Sequence, residues 1–329
     1  MQVSSHRSDA PKASLLKGVL FILIGSSSYG MLSTFVKLSY KQGYTTAEVT
    51  GAQFVIGAFV VSLLALFLPK NAAKATFSDK WKLMVTGTTT GLTSVLYYVS
   101  VKYIAASIAV VLLMQSVWLG VVFESLFKKT WPTLDKVIAV VLVLVGTVLA
   151  TNALDTASTQ LDIRGFIFGI LAAISFSGTM MSTGSVASHL PSVKRSQFML
   201  FGGGLVVLVF AFMTQLGPRY FGIEILSSDF IQNKPFEFSI FWTYGLFVAV
   251  FGTILPPIML NKGFPITGVA LGSIISSMEL PFATLIAFAL LGEHIGRVQL
   301  LGVGLILFSV FLLNYRMILK EKLKLAVEK

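Results

Sequence analysis

One carboxylate, Glu279, lies inside the apolar run "SSMELPFATLIAFALLGEH" at positions 276–294, with Pro281 two residues on and a second acid, Glu293, fourteen residues on. A charged side chain at mid-bilayer costs at least ~2.5 kcal/mol on insertion scales, and such residues face a bundle interior or a wet cavity. Three chemistries would offset that cost. The carboxylate holds a cationic or amine-bearing solute, or it carries a proton whose release is coupled to solute movement, or it is hydrogen-bonded to a neighbouring helix as a structural clasp. Gln115 stands at similar depth in the first half of the chain. An acid and an amide in one chamber could orient a zwitterion or an amine, or simply bond to each other. Trp118, Tyr98 and Gln53 complete the candidate substrate-binding set, because pockets for small molecules are mostly apolar with a few placed polar groups. Tyr29, Thr89, Thr90, Tyr97, Ser175, Phe176 and Ser277 are further polar or aromatic residues at mid-span; taken singly, such aromatics more often pack helices than touch ligands.

Other chemistries lack their parts. The chain has no cysteine, so thiolate nucleophiles, thiolate metal sites and disulfides are absent. His6, His189 and His294 are far apart in sequence and near segment ends, which predicts no metal site and no cofactor. A single mid-depth carboxylate without a mid-depth histidine offers no nucleophile and base, so an enzyme is not expected. No G-x-x-x-x-G-K-[ST] loop occurs, so ATP is not expected as the direct energy source.

The elements that position these residues follow from composition. Of 329 residues, 55% are hydrophobic and 12% charged, with a mean hydropathy of +0.84; a soluble domain keeps about a quarter of its residues charged. The chain is expected to be an all-α integral membrane protein. Apolar runs long enough to cross ~30 Å of hydrocarbon fall at about 15–39, 45–69, 81–103, 105–127, 133–152, 164–188, 196–216, 240–262, 267–291 and 296–317. The first is too long for a signal-peptide core and reads as a retained helix. With ten spans both termini share a side, and that side collects most of the 25 Lys and Arg. Cytoplasmic loops gather these residues, so both ends are placed in the cytoplasm of a cell that carries the protein in its inner (plasma) membrane. The net charge of +11 is therefore a topology signal spread over short loops, not a surface for nucleic acid. The basic tail "RMILKEKLKLAVEK" reads either as a contact with anionic membrane lipid or as a solvated helix end.

Internal similarity divides the chain. "KGVLFILIGSSSYG" from Lys17 aligns with "RGFIFGILAAISFSG" from Arg164, pairing Tyr29 with Phe176, and "IAVVLVLVGTVL" from Ile138 aligns with "LGVGLILFSVFL" from Leu301. Residues 1–152 and 153–329 thus form two five-helix repeats. Five is odd, so the second repeat is inverted, a design that suits alternating access around a midplane site. Several other features read as structural. Glu124 precedes Lys128 by four residues, and "TTAE" at 45–48 is a capping box. "GTTTG" from Gly87 and "GFIFG" from Gly165 allow close helix approach, and Pro256 and Pro257 bend the eighth span. The 217–239 connection is either a lid or an interfacial loop.

The stretch "MELPFATLIAFALLGEHIGRVQLLGVGLILFSV" from Met278 resembles the EamA-type repeat of the drug/metabolite transporter superfamily, through Glu279, Pro281, Gly292, Glu293, Gly302 and Gly304. "YGLFVAVFGTILPPIMLNKGFPITGVALGS" is similar to the helix pair that precedes it. The resemblance implies a ten-helix secondary transporter that moves a small-molecule substrate, such as an amino acid or an amine, outward through a central cavity, driven by protons or by the solute's own gradient. The alternative within the superfamily is a nucleotide-sugar or sugar-phosphate exchanger, which would need mid-span cations. The first repeat departs from the pattern. A shift of 164 places Glu279 on Gln115, Pro281 on Val117 and Glu293 on Lys129, and the last swap follows from opposite membrane sides.

Overall fold

The computed structural model describes residues 10–69, 72–104, 106–150, 162–224, 231–291 and 296–327; Gly292 and Glu293 lie outside them. The described residues are almost wholly helical. In the first half α1 spans Ala10–Lys41, α2 Thr46–Leu66, α3 Phe77–Tyr103, α4 Ala106–Leu113, α5 Ser116–Lys128 and α6 Leu134–Ala150. In the second, α7 spans Ile163–Ser185, and α8 spans Ser192–Ala211 and continues as a π-helix over Phe212–Phe221. A 3-10 turn at Phe238–Trp242 leads into α9 (Tyr244–Ala249), a π-turn (Val250–Ile254) and α10 (Leu255–Thr267). α11 (Val269–Ser276), α12 (Glu279–Leu291) and α13 (Arg297–Val327) complete the chain. Joining α4 to α5, α9 to α10 and α11 to α12 across their short interruptions gives ten rods, five per half. Among the described residues, seven helices are long and apolar enough to cross a membrane. The outward faces of the bundle carry large apolar side chains such as Leu20, Phe59, Val141, Leu205 and Phe308, as a surface immersed in lipid requires.

Local sequence sets the ends of these rods. Thr45 Oγ1 accepts the Glu48 N–H at 3.1 Å while a Glu48 carboxylate oxygen accepts the Thr45 N–H at 2.7 Å, the capping box read from "TTAE". A second box, Thr76 with Asp79, opens α3. The Pro256–Pro257 pair lies just after the π-turn, where two missing amide donors leave carbonyls of the preceding turn without helical partners.

The halves meet with two-fold logic. α3 packs along α7 as α10 packs along α1, while α6 lies against α13 and α2 against α8. Small residues set these distances. α3 and α8 approach backbone to backbone, since a Cβ on Gly87 or Gly202 would overlap main-chain atoms of Met199 or Met84. Gly146 and Gly302 do the same for α6 and α13.

Symmetry fails at one place. At the end of the bundle that holds both chain termini, α5 packs along α11 and α10 packs against α7. The mates of these pairs at the opposite end, α4 with α12 and α3 with α1, make no comparable contact among the described residues. The bundle is shut at the terminal end and parted at the other.

At the parted end, Glu48 does more than cap. Fully buried, it accepts hydrogen bonds from Gln215 Nε2 (2.9 Å) and the Glu237 N–H (2.8 Å) and pairs with Lys234 (3.3 Å). The part of the 217–239 connection described at 231–237 is thereby strapped to the start of α2, and 217–221 belongs to the π-helix. Glu48→Ala would leave the Glu237 N–H without an acceptor and Gln215 Nε2 with only its longer bonds to Lys234 O and Pro235 O, so a loss of about 2 kcal/mol in thermal unfolding is expected, together with faster proteolysis within 231–237.

Candidate functional site

Between the halves lies a cavity with about 60 Å³ of free space, mostly apolar with a few placed polar groups, as small-molecule sites are. α1 contributes Tyr29 and Leu32, α2 Gln53, and α3 Thr90, Thr93, Ser94, Tyr97 and Tyr98. α4 adds Leu113, α7 adds Phe176 and Thr179, the π-turn adds Gly252, and α12 adds Glu279. A narrower space of about 10 Å³ continues toward the terminal end past Thr183, Leu260 and Asn261.

Each polar group is placed by a local device. Glu279 is the first residue of α12, just after the Ser277–Met278 turn that interrupts the ninth rod. Pro281 has no N–H to return to Ser277, whose carbonyl instead accepts the Leu280 N–H at 3.2 Å. Gly30 lets α1 lie against this corner, because a Cβ there would come within 2.5 Å of the Glu279 carbonyl oxygen and 2.8 Å of the Ala283 nitrogen. That close approach brings Tyr29 and Glu279 into one chamber. Tyr98 donates to Gln53 Oε1 at 3.1 Å, and the Gln53 amide nitrogen sits against Gly252, where a Cβ would be 2.6 Å away. Tyr29 and Phe176, the residues paired by the repeat alignment, meet edge to face with ring centroids 6.0 Å apart.

The electrostatic character of the lining is one-sided. Among the described residues no Lys, Arg or His lines the cavity, and the Glu279 side chain makes no hydrogen bond or ion pair. Hydroxyl protons are directed to the backbone: Thr93 donates to Thr89 O (2.7 Å), Ser94 to Thr90 O (3.3 Å) and Thr179 to Ser175 O (3.3 Å). Thr179 Oγ1 also lies 2.8 Å from Thr89 Oγ1; these hydroxyls present lone pairs to the cavity, while the Gln53 amide and the Tyr29, Tyr97 and Thr90 hydroxyls line it as groups that can donate or accept. Thr90 Oγ1 is buried without a partner. Arg195 is the large buried cation nearest the narrow continuation, and it is fully used elsewhere. Its guanidinium donates to Thr183 O and Val186 O, which caps the C-terminus of α7, and to Asn261 O on α10. No group of His, Asp or Glu among the described residues is arranged to hold a metal ion.

Of the five candidate residues, the structure brings together Glu279, Tyr98 and Gln53. Gln115 and Trp118 lie outside the lining and bond to each other: Trp118 Nε1 donates to Gln115 Oε1 at 3.0 Å, and Gln115 Nε2 donates to Val111 O at 3.0 Å. Gln115 and Glu279 are not bonded across the interface. The reason is register. The interrupted rods correspond at a shift of 163, since their interruptions fall at 114–115 and 277–278 and α5 begins at 116 and α12 at 279. Ser116, not Gln115, is the mate of Glu279, and Trp118 is the mate of Pro281. Sequence reasoning also passed over Thr93, Ser94 and Thr179. The signal was present, because Thr90, Thr93, Ser94 and Tyr97 recur at helical spacing on one face of α3.

Comparison with known proteins agrees with this architecture. The model of the EamA-like transporter family matches twice, over residues 16–152 and 163–315. The uncharacterized transporter YcbK of Bacillus subtilis is 23% identical over 91% of this chain and 93% of its own. The uncharacterized transporter sll1319 of Synechocystis is 22% identical over 91% and 94%. A protein of known crystal structure shares the fold, with a TM-score of 0.67 at 15% identity over 92% of this chain and 97% of that one. With both halves matched and one cavity between them, the chain belongs to the EamA-like transporter family, whose members are membrane transporters and not enzymes.

Proposed function

We propose that the protein exports a small amphipathic amine, carried as its ammonium form with Glu279 as counter-ion. The observation that carries this reading is a carboxylate without a protein partner, facing a cavity whose other groups offer aromatic faces and oxygen lone pairs. An ammonium supplies the positive charge such a lining lacks, and Tyr29, Tyr97, Tyr98 and Phe176 suit an organic cation through their ring faces. An amino acid would bring a carboxylate for which the described lining has no cation. A sugar phosphate would bring more negative charge still, so the exchanger reading loses support.

The carrier works by alternating access between its two repeats, residues 1–152 and 153–329. One carboxylate can hold an ammonium or a proton but not both at once, so inward proton movement can drive outward amine movement through competition at Glu279. The distribution of Lys and Arg supports cytoplasmic termini, in a protein of the inner membrane. The parted end then faces outward.

A thermal-shift panel tests the substrate class. Alkylamines and quaternary ammonium compounds are expected to raise the unfolding midpoint, by the equivalent of about 2.7 kcal/mol at a hundredfold excess over Kd. Amino acids and sugar phosphates are expected to leave it unchanged. Stabilisation by sugar phosphates alone would overturn the reading.

A further inference from the structure

We propose that Glu124 is a one-sided latch that holds the bundle shut at the terminal end and so biases the carrier toward the state open at the other end. This rests on the alternating-access reading above and is independent of the role given to Glu279.

Glu124 reaches well beyond its neighbour Lys128. It is 9% exposed, and its carboxylate accepts hydrogen bonds from the Lys128 ammonium and from the Ala270 N–H, with Lys136 at 3.7 Å. Ala270 lies in the first turn of α11, so a side chain from the first repeat satisfies an amide that the helix leaves free in the second. The approach is tight. α10 turns into α11 at Gly268, with φ +78°, and a Cβ there would come within 3.3 Å of Glu124 Oε1. Just along the same contact, Ser273 Oγ donates to Val117 O at 3.3 Å, and a Cβ on Gly120 would come within 2.8 Å of Ser273. The latch therefore fastens the α5–α11 contact, the pair that lacks a counterpart at the other end.

Inverted repeats predict the reverse state directly. Exchanging the conformations of the halves brings α4 against α12 and parts α5 from α11. At the 163-residue shift the mate of Glu124 is position 287, which holds alanine. The reverse state has no carboxylate at the corresponding place, so it gains no equivalent bond. A ligand-free carrier then rests closed at the terminal end, and crossing to the reverse state requires Glu124 to release Ala270.

The absence of native cysteine makes the test direct. Single cysteines are placed at Leu113, in the central cavity, and at Leu260, in the narrow continuation, and each is labelled with a membrane-impermeant cationic thiol reagent in purified protein. With Glu124 intact, Leu113→Cys is expected to react readily and Leu260→Cys slowly. Adding Glu124→Ala is expected to raise Leu260→Cys labelling about tenfold or more and to lower that of Leu113→Cys, the scale set by losing a hydrogen bond to a charged group. Glu124→Gln, which keeps an acceptor for Ala270 but loses both lysines, is expected to give a smaller shift in the same direction, and it carries the test if Glu124→Ala does not fold. Labelling rates within twofold of the parent in the folded variants, or a shift toward faster Leu113→Cys labelling, would overturn the proposal. Labelling reads accessibility and not flux, so failure of the amine reading leaves this result unaffected.

Discussion

Glu279→Gln is expected to weaken amine binding by about 10- to 150-fold and to stop flux in proteoliposomes, while the unfolding midpoint without ligand holds or rises. The binding loss follows from removing a charge-assisted hydrogen bond worth ~1.5–3 kcal/mol, at 1.4 kcal/mol per tenfold. The stability expectation has the opposite sign because the carboxylate has no partner among the described residues: the amide has nearly the same shape and relieves the ~2.5 kcal/mol or more of placing a charge at mid-membrane. A structural clasp would behave otherwise, since truncating it would leave donors on a neighbouring helix unsatisfied and lower the midpoint. Measuring both quantities separates the cases. Unchanged flux with an unchanged amine-induced shift would remove Glu279 from the transport cycle, and a fall in midpoint alone would restore the clasp.

The parts legible in the sequence are those governed by short-range rules. Apolar runs located the rods, "TTAE" located the start of α2, and the Glu279-x-Pro281 pair pointed to a distorted helix at mid-depth. The Tyr29–Phe176 pairing, read from weak repeat similarity, became a ring contact at 6.0 Å. The misses lie where a one-residue error is decisive. In a helix one residue turns a side chain by about 100°, so a shift of 164 instead of 163 was enough to choose Gln115 where Ser116 is the mate of Glu279. The first repeat gave little to prevent this, since it keeps the interruption at Met114–Gln115 without a proline to mark it. Glu48 and Glu124 show a second limit. Their local partners, Thr45 and Lys128, were readable from spacing, but Gln215, Glu237 and Ala270 lie 146 to 189 residues away in sequence and only the fold brings them near. Local partners explain why each acid is tolerated, and distant ones explain what it holds.

The wall that carries most of the cavity hydroxyls depends on a backbone contact that yields the second large prediction. The run Gly202–Gly203–Gly204 on α8 contains three chemically identical positions in different surroundings. A Cβ on Gly202 would overlap the main chain of Met84, and one on Gly203 would meet the Phe54 ring at 2.7 Å and the Gly87 carbonyl at 3.0 Å, whereas one on Gly204 would find nothing within 4 Å. Main-chain atoms cannot rotate away, so Gly202→Ala must push α3 from α8, with an expected loss of about 1–3 kcal/mol or more. The same displacement moves Thr90, Thr93, Ser94, Tyr97 and Tyr98, so amine-induced stabilisation should fall with it. Gly204→Ala adds the same methyl group to the same helix and is expected to be neutral or to stabilise by about 0.5–1 kcal/mol, because alanine loses less backbone entropy than glycine on becoming helical. Thermal unfolding of the two variants side by side removes composition and hydropathy as explanations. Equal effects at 202 and 204 would mean that α3 and α8 are not in backbone contact, and the cavity wall would have to be positioned by something else.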